Sequence, residues 1–251
     1  MKHALGFDPR DIPWSVQDQH WPALPPAALH AESLRGVFKN PPVWTPEVKR
    51  EPALGQRAPQ AAAVLVPIVM RGEQGNEPHL LLTQRTQHLS SHAGQIAFPG
   101  GKVDPDDQSV EHAALREAEE EVGLTAEHVE VLGQLPSYIT GTSFHITPVV
   151  ALVSPNHTLQ TNAYEVEFAF EVPLSFLMDP ANHRIHQWEN NGVQRQWYSM
   201  PYRPATTKLS NGSNGSNASN ASNPETEYFI WGATAGMIRN FYRFLLASNS
   251  L

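Results

Sequence analysis

The sequence predicts an α+β fold, a mixed β-sheet between helices, and three observations predict it. Apolar runs of strand character recur from Ala61 to Met200, one acidic helical segment interrupts them, and an amphipathic helix closes the chain. Before Ala61 the chain is rich in proline and weakly periodic, with one short helix expected near Ala28–Phe38. Residues 1–60 therefore read as an N-terminal arm that packs on the main domain or on a partner subunit, and residues 61–251 as the main domain. Strand signals start at Ala61: "AAVLVPIVM" (Ala62–Met70) reads as a central strand and "HLLLTQR" (His79–Arg85) as its neighbour, joined by a hairpin connection through Gly72 and Gly75. Asp107–Val122 reads as a helix, with Asp106 or Asp107 capping its start and Gly123 ending it in a left-handed turn. Val129–Leu135 and His145–Val153 read as strands. Val166–Leu177 reads as a strand running into a helical turn, and Gln194–Met200 as a further strand. Leu209–Glu227, almost wholly Asn, Ser and Gly at its centre, lacks the apolar side chains to build a core and reads as a flexible loop. Tyr228–Ala247 then resumes order, with Ile238, Phe241, Tyr242, Leu245 and Leu246 on one face of a closing helix.

Composition narrows the function. A formal net charge of -8 without a compensating basic block argues against a nucleic-acid partner. The absence of cysteine removes disulfides, thiolate nucleophiles and cysteine metal sites. The first residues lack the apolar core of a secretory signal, and the longest apolar run, Ala61–Met70, is too short to span a bilayer. A cytoplasmic protein with no membrane partner is the expectation, and the N-x-S and N-x-T sequences then carry no glycan.

The chemistry concentrates in "GQIAFPGGKVDPDDQSVEHAALREAEEEVGL", Gly94–Leu124. Glu117, Glu120 and Glu121 stand at i, i+3 and i+4, so a helix sets them on one side within about one turn. Three carboxylates so placed repel one another unless a cation joins them, and their oxygens suit a hard divalent ion. The alternative is a solvated acidic helix face. Pro99-Gly100-Gly101 forms a tight turn whose bare backbone can approach the helix, and a carbonyl from it would complete a metal shell. Arg116 would hold a neighbouring carboxylate or the adjacent loop. Asp104, Asp106 and Asp107 read mainly as turn and capping residues. Such a site suits hydrolysis of a diphosphate with Mg2+ or Mn2+. No Walker-type phosphate loop is present.

Arg116-Glu117-Ala118-Glu119-Glu120-Glu121-Val122-Gly123-Leu124 resembles the core of the Nudix box. The upstream part departs from the strict pattern: Gln108 takes the place of its glutamate and Lys102 that of its glycine, with Asp107 positioned to replace the glutamate. The same one-residue offset occurs in the coenzyme A pyrophosphatase subgroup, whose extra signature resembles "LLTQRTQHLSSHAGQIAFPGG", Leu81–Gly101. The resemblance implies a Nudix-type α/β/α sandwich and a coenzyme A-like small-molecule substrate. The products would be 3',5'-ADP and (acyl-)4'-phosphopantetheine. It implies metal ligation by Glu117, Glu120, Glu121 and the Gly101 carbonyl, catalytic roles for Glu117, Glu120 and Arg116, and substrate contacts from Arg85, His92 and Lys102. Glu165 or Glu167 is a second option for the general base. Arg85 also reads as a loop stabiliser, His92 as a pin for its turn and Lys102 as a solvated lysine. The resemblance further implies a homodimer to which the arm contributes. The competing readings are a Nudix enzyme for another nucleoside diphosphate derivative such as ADP-ribose, a non-catalytic metabolite-binding domain, and an RNA-cap or alarmone hydrolase.

Overall fold

The computed structural model describes residues 7–18, 20–53, 58–89, 92–190, 193–204 and 227–249. In chain order the elements are β1 (Trp14–Ser15), α1 (Ala31–Lys39), β2 (Gln60–Arg71), β3 (Glu77–Arg85), β4 (Ile96–Ala97), β5 (Gly100–Lys102) and α2 (Val110–Val122). There follow β6 (Val129–Gln134), β7 (Tyr138–Ile139), β8 (Phe144–Val153), β9 (Val166–Pro173), α3 (Leu174–Leu177), β10 (Arg184–Asn190), β11 (Val193–Tyr202), β12 (Tyr228–Trp231) and α4 (Gly232–Asn249).

Among the described residues, eight strands form a mixed sheet: β4-β3-β2-β8-β6 in order, with β5 on β2, β7 on β8 and β9 on β3. β2 and β8 run parallel and their neighbours run antiparallel to them. Alternation along β2 sends Ala63, Leu65 and Val69 to one face and Val64, Val66 and Ile68 to the other. The first set packs beneath α2, against Ala113, Ala114, Ala118 and Val122. Three alanines on that helix face let α2 lie close on the sheet, which brings Glu117 against Gly101 of β5. The second set packs beneath α4, against Ile238, Phe241, Tyr242 and Leu245. The sheet therefore lies between helices, as the sequence predicts.

Helix α2 starts three residues later than predicted. Ser109, extended in backbone, accepts a hydrogen bond from the His112 amide and is the N-cap. Asp107 is drawn away from capping by stronger partners described below. The end is as predicted: Gly123 has φ 70° and its amide donates to the Glu119 carbonyl at 2.9 Å.

A second sheet, β1-β10-β11-β12, is antiparallel throughout and leads into α4. The sequence reading finds only β11 of its strands. β12 opens the segment Tyr228–Ala247 that reads as ordered with a closing helix, and Gly232, at φ 63°, turns strand into helix.

The arm contacts α4 through polar as well as apolar groups. Leu24, Leu29 and Leu34 are buried in the cluster that holds α4. Arg239 is fully buried and binds Asp18, Glu47 and the His183 ring, and its guanidinium lies over Trp21, Tyr198 and Tyr242. Residues 205–226, which include most of the predicted Asn/Ser/Gly loop, lie outside the described residues.

Candidate active site

Arg116 is the centre of the polar arrangement on α2. Its Nε and Nη2 donate to the two carboxylate oxygens of Asp107 at 3.0 and 2.9 Å, a two-point clasp. Nη2 also donates to the Lys102 carbonyl at 3.2 Å, and Nη1 reaches Glu117 and Glu120, each at 3.2 Å. Asp107 receives the Asp104 amide and the His112 ring as well, and its side chain is buried. The bonds from Arg116 hold the Asp107 carboxyl well below the usual carboxylate range, despite burial that opposes this. One guanidinium thus ties the loop between β5 and α2 to the helix and aligns two of its glutamates.

Glu121 faces the other way. Only 3% of it is exposed, and its carboxylate accepts the Gly100 amide at 3.2 Å and the Arg85 guanidinium at 3.4 Å. Burial pushes its carboxyl up to about 7, against the pull of Arg85 and Gly100. Glu117 is half-buried and is also pushed up by burial, against Arg116. The charges of Glu117 and Glu165 add to the shift of Glu121, and those of Glu120 and Glu165 to that of Glu117. Four carboxylates therefore share this corner. Glu120, the outermost of the three on α2, is the most open to solvent.

The sequence supplies the geometry by close approach. A Cβ added to Gly101 would lie 2.5 Å from a Glu117 carboxylate oxygen, and one on Gly100 would lie 2.4 Å from the Ala63 carbonyl. Both glycines hold β5 against β2 and under α2. Glu165 arrives from the loop before β9, where the Asn162 amide donates to the Glu121 carbonyl and the Thr86 amide to the Glu165 carbonyl.

The other predicted site residues divide. Arg85 is at the site, paired with Glu121, a partner that the sequence does not indicate. His92 has φ 55° and its Nδ1 is 2.9 Å from the Gln95 side chain, with the Gln95 amide donating to the His92 carbonyl, so here it pins its turn. Lys102 is exposed and gives its carbonyl to Arg116. Glu167 is exposed and accepts from Gln84, while Glu165 is the one beside the helix glutamates. Among the described residues, no three His, Asp or Glu side chains converge as a formed metal site. Arg116 stands between Glu117 and Glu120, and Glu121 is turned to Gly100. The donor chemistry nevertheless fits a hard divalent cation: clustered carboxylates, and a glycine backbone pressed against one of them.

A family model for the NUDIX domain matches residues 59–200, more than half of the chain. The chain belongs to the Nudix family. It is 40% identical over 195 residues to the uncharacterized Nudix hydrolase NudL of Shigella flexneri serotype 5b, covering 77% of this chain and 85% of that one. It is 40% identical over 179 residues to the protein of that name from Yersinia pestis strain Pestoides F, covering 71% and 76%. A solved Ap4A hydrolase from C. elegans, in a binary complex, is 23% identical with a TM-score of 0.38, covering 46% of this chain and 80% of that one. As a Nudix hydrolase the chain acts on the pyrophosphate linkage of a small nucleoside diphosphate derivative. Members of the family generally use a divalent ion such as Mg2+ or Mn2+. Helix α2 is its Nudix helix. Among the described residues, no helix is long and apolar enough to cross a membrane.

Proposed function

We propose that the chain hydrolyses the diphosphate of coenzyme A or its acyl derivatives, releasing 3',5'-ADP and (acyl-)4'-phosphopantetheine. The observation that carries this reading is the placement of Leu81–Gly101, the segment that resembles the subgroup signature. Its described residues include the end of β3, β4 and the start of β5, and they deliver both Arg85 and the Gly100 amide onto Glu121 of the Nudix helix.

In this reading Glu117, Glu120, Glu121 and the Gly101 carbonyl hold the divalent ion. When bound, the ion supplies Lewis-acid stabilisation of the charge that develops on the diphosphate. Arg116 is a positioning residue, since its guanidinium is committed to Asp107, Glu117 and Glu120. Glu117, pressed against Gly101, takes the proton of the attacking water, and Glu165, whose charge acts on Glu117 and Glu121, is the second candidate for that step. Water attacks one phosphorus and the bridging oxygen leaves with the other phosphate, so the two products share the two phosphoryl groups. Arg85 steadies Glu121 and presents positive charge to the diphosphate. His92 and Lys102 meet the coenzyme side.

Turnover of coenzyme A, dephospho-coenzyme A and ADP-ribose, each with Mg2+, tests the substrate class. Preference for coenzyme A is expected; preference for ADP-ribose would overturn the substrate assignment, and no turnover of any of them the enzymatic reading. A second variant probes the glycine contact. Gly101→Ala keeps an ordinary backbone conformation but must displace the Glu117 carboxylate. We expect kcat to fall by about tenfold or more, the usual order for misplaced catalytic groups, with near-native circular dichroism; undiminished kcat would remove Gly101 and Glu117 from the site.

A further inference from the structure

We propose that Tyr164, with His88 beside it, is the stacking platform for the nucleobase of the substrate. This rests on the nucleoside diphosphate reading of the same site and assigns the part of it that selects the base.

Tyr164 is 68% exposed, yet its backbone is fixed on both sides. The buried Thr86 hydroxyl donates to the Tyr164 carbonyl at 2.9 Å, the Thr86 amide donates to the Glu165 carbonyl at 3.0 Å, and the Asn162 side chain accepts the Tyr164 amide at 3.1 Å. A large aromatic ring is thus held in water on a rigid base.

The location gives the ring its role. Tyr164 precedes Glu165, the carboxylate grouped with Glu117 and Glu121. The His88 ring lies 5.0 Å from the Tyr164 ring, at 56° between planes, and His88 is exposed just past Arg85, the cation on Glu121. The two rings thus stand at the rim beyond the Arg85 end of the site. A diphosphate seated by Arg85 and the helix glutamates carries its nucleoside only a few bonds away, within reach of this rim. A flat, uncharged base gains from a π-face and needs no charged partner. The surrounding charges serve the phosphates.

The test uses the full chain and a binding readout that needs no hydrolysis. In calorimetry with Mg2+, wild-type protein is expected to bind AMP more tightly than ribose 5-phosphate, which lacks the base, by about tenfold. Tyr164→Ala should remove that preference, Tyr164→Phe should restore it, and His88→Ala should reduce it in part. In turnover, Tyr164→Ala should raise KM about tenfold with a much smaller change in kcat. An AMP preference that survives Tyr164→Ala overturns the assignment, and so does a wild type that binds both ligands equally. Either result leaves diphosphate hydrolysis to be judged by its own turnover assay, so the two failures are distinct.

Discussion

Glu121→Gln is expected to stop turnover and, in the metal-free protein above pH 7, to make the fold more stable. The two effects share one cause. Glu121 is buried on the α2 face of the sheet, and burial raises its carboxyl from the ordinary value of 4.5 to about 7. The folded state therefore binds the proton more tightly than the unfolded chain does. Stability falls as pH rises from about 4.5 to about 7, and the full cost is present above that window. A shift of this size corresponds to about 3–4 kcal/mol. Glutamine keeps the shape and can still accept the Gly100 amide without the buried charge, although its amide nitrogen suits Arg85 less well. A gain of about 1–3 kcal/mol at pH 8, or several degrees in Tm, is expected. That gain should vanish near pH 4.5. Loss of the carboxylate should lower kcat by about 100-fold or more, since it removes an ion ligand in the proposed site. Melting curves in chelator at both pH values, with turnover in Mg2+, check both halves. Glu121 would be structural only if turnover survived.

Arg239→Met is expected to destabilise the protein by about 3–5 kcal/mol, the range for breaking a buried ion pair from one side. Arg239 is fully buried on α4 and neutralises Asp18 and Glu47, both on the arm. Methionine fills the aromatic slot between Trp21, Tyr198 and Tyr242 but leaves both carboxylates without that cation, Glu47 keeping Arg243 and the Tyr198 hydroxyl. His183 belongs to the same network. Its Nε2 donates to the Leu177 carbonyl at 2.7 Å and its Nδ1 accepts from Arg239 at 3.1 Å, which fixes a neutral ring. Burial lowers its pKa from 6.5 to about 4. Its contribution is therefore complete above about pH 6.5 and is lost as pH falls toward 4. Denaturant unfolding of wild type and variant at pH 7.5 reads the effect. A difference under about 1 kcal/mol would mean that the Arg239 ion pairs do not hold the arm.

Local signals in the sequence identify the parts of the fold that local chemistry decides. Alternation identifies β2, β3 and β8, and Gly123 marks the end of α2 because a left-handed turn suits glycine. The sequence places the start of α2 too early because Asp106 and Asp107 are as able to cap as Ser109, and only the clasp from Arg116 takes Asp107 out of that role. β4, β5 and β7 are two or three residues long and exist through partners distant in sequence. β10 carries a mixed polar and aromatic pattern that reads as strand only once it pairs with β11, and β12 is four residues long and runs directly into α4. At the site, the helix glutamates and Arg116 follow from spacing. The pairing of Arg85 with Glu121, and the choice of Glu165 over Glu167, depend on how β3 and β9 meet at a bulge beside Arg85. Tyr164 gives no signal in the chain at all, since its importance comes from being exposed beside Glu165.

The most direct test of the account is a titration of Mn2+, followed by electron paramagnetic resonance of the free ion, into wild type, Glu117→Gln and Glu120→Gln. The account predicts saturable binding to wild type and affinity at least about tenfold weaker in each variant, the order expected on loss of a ligand. Equal binding in all three, or none in wild type, would contradict it.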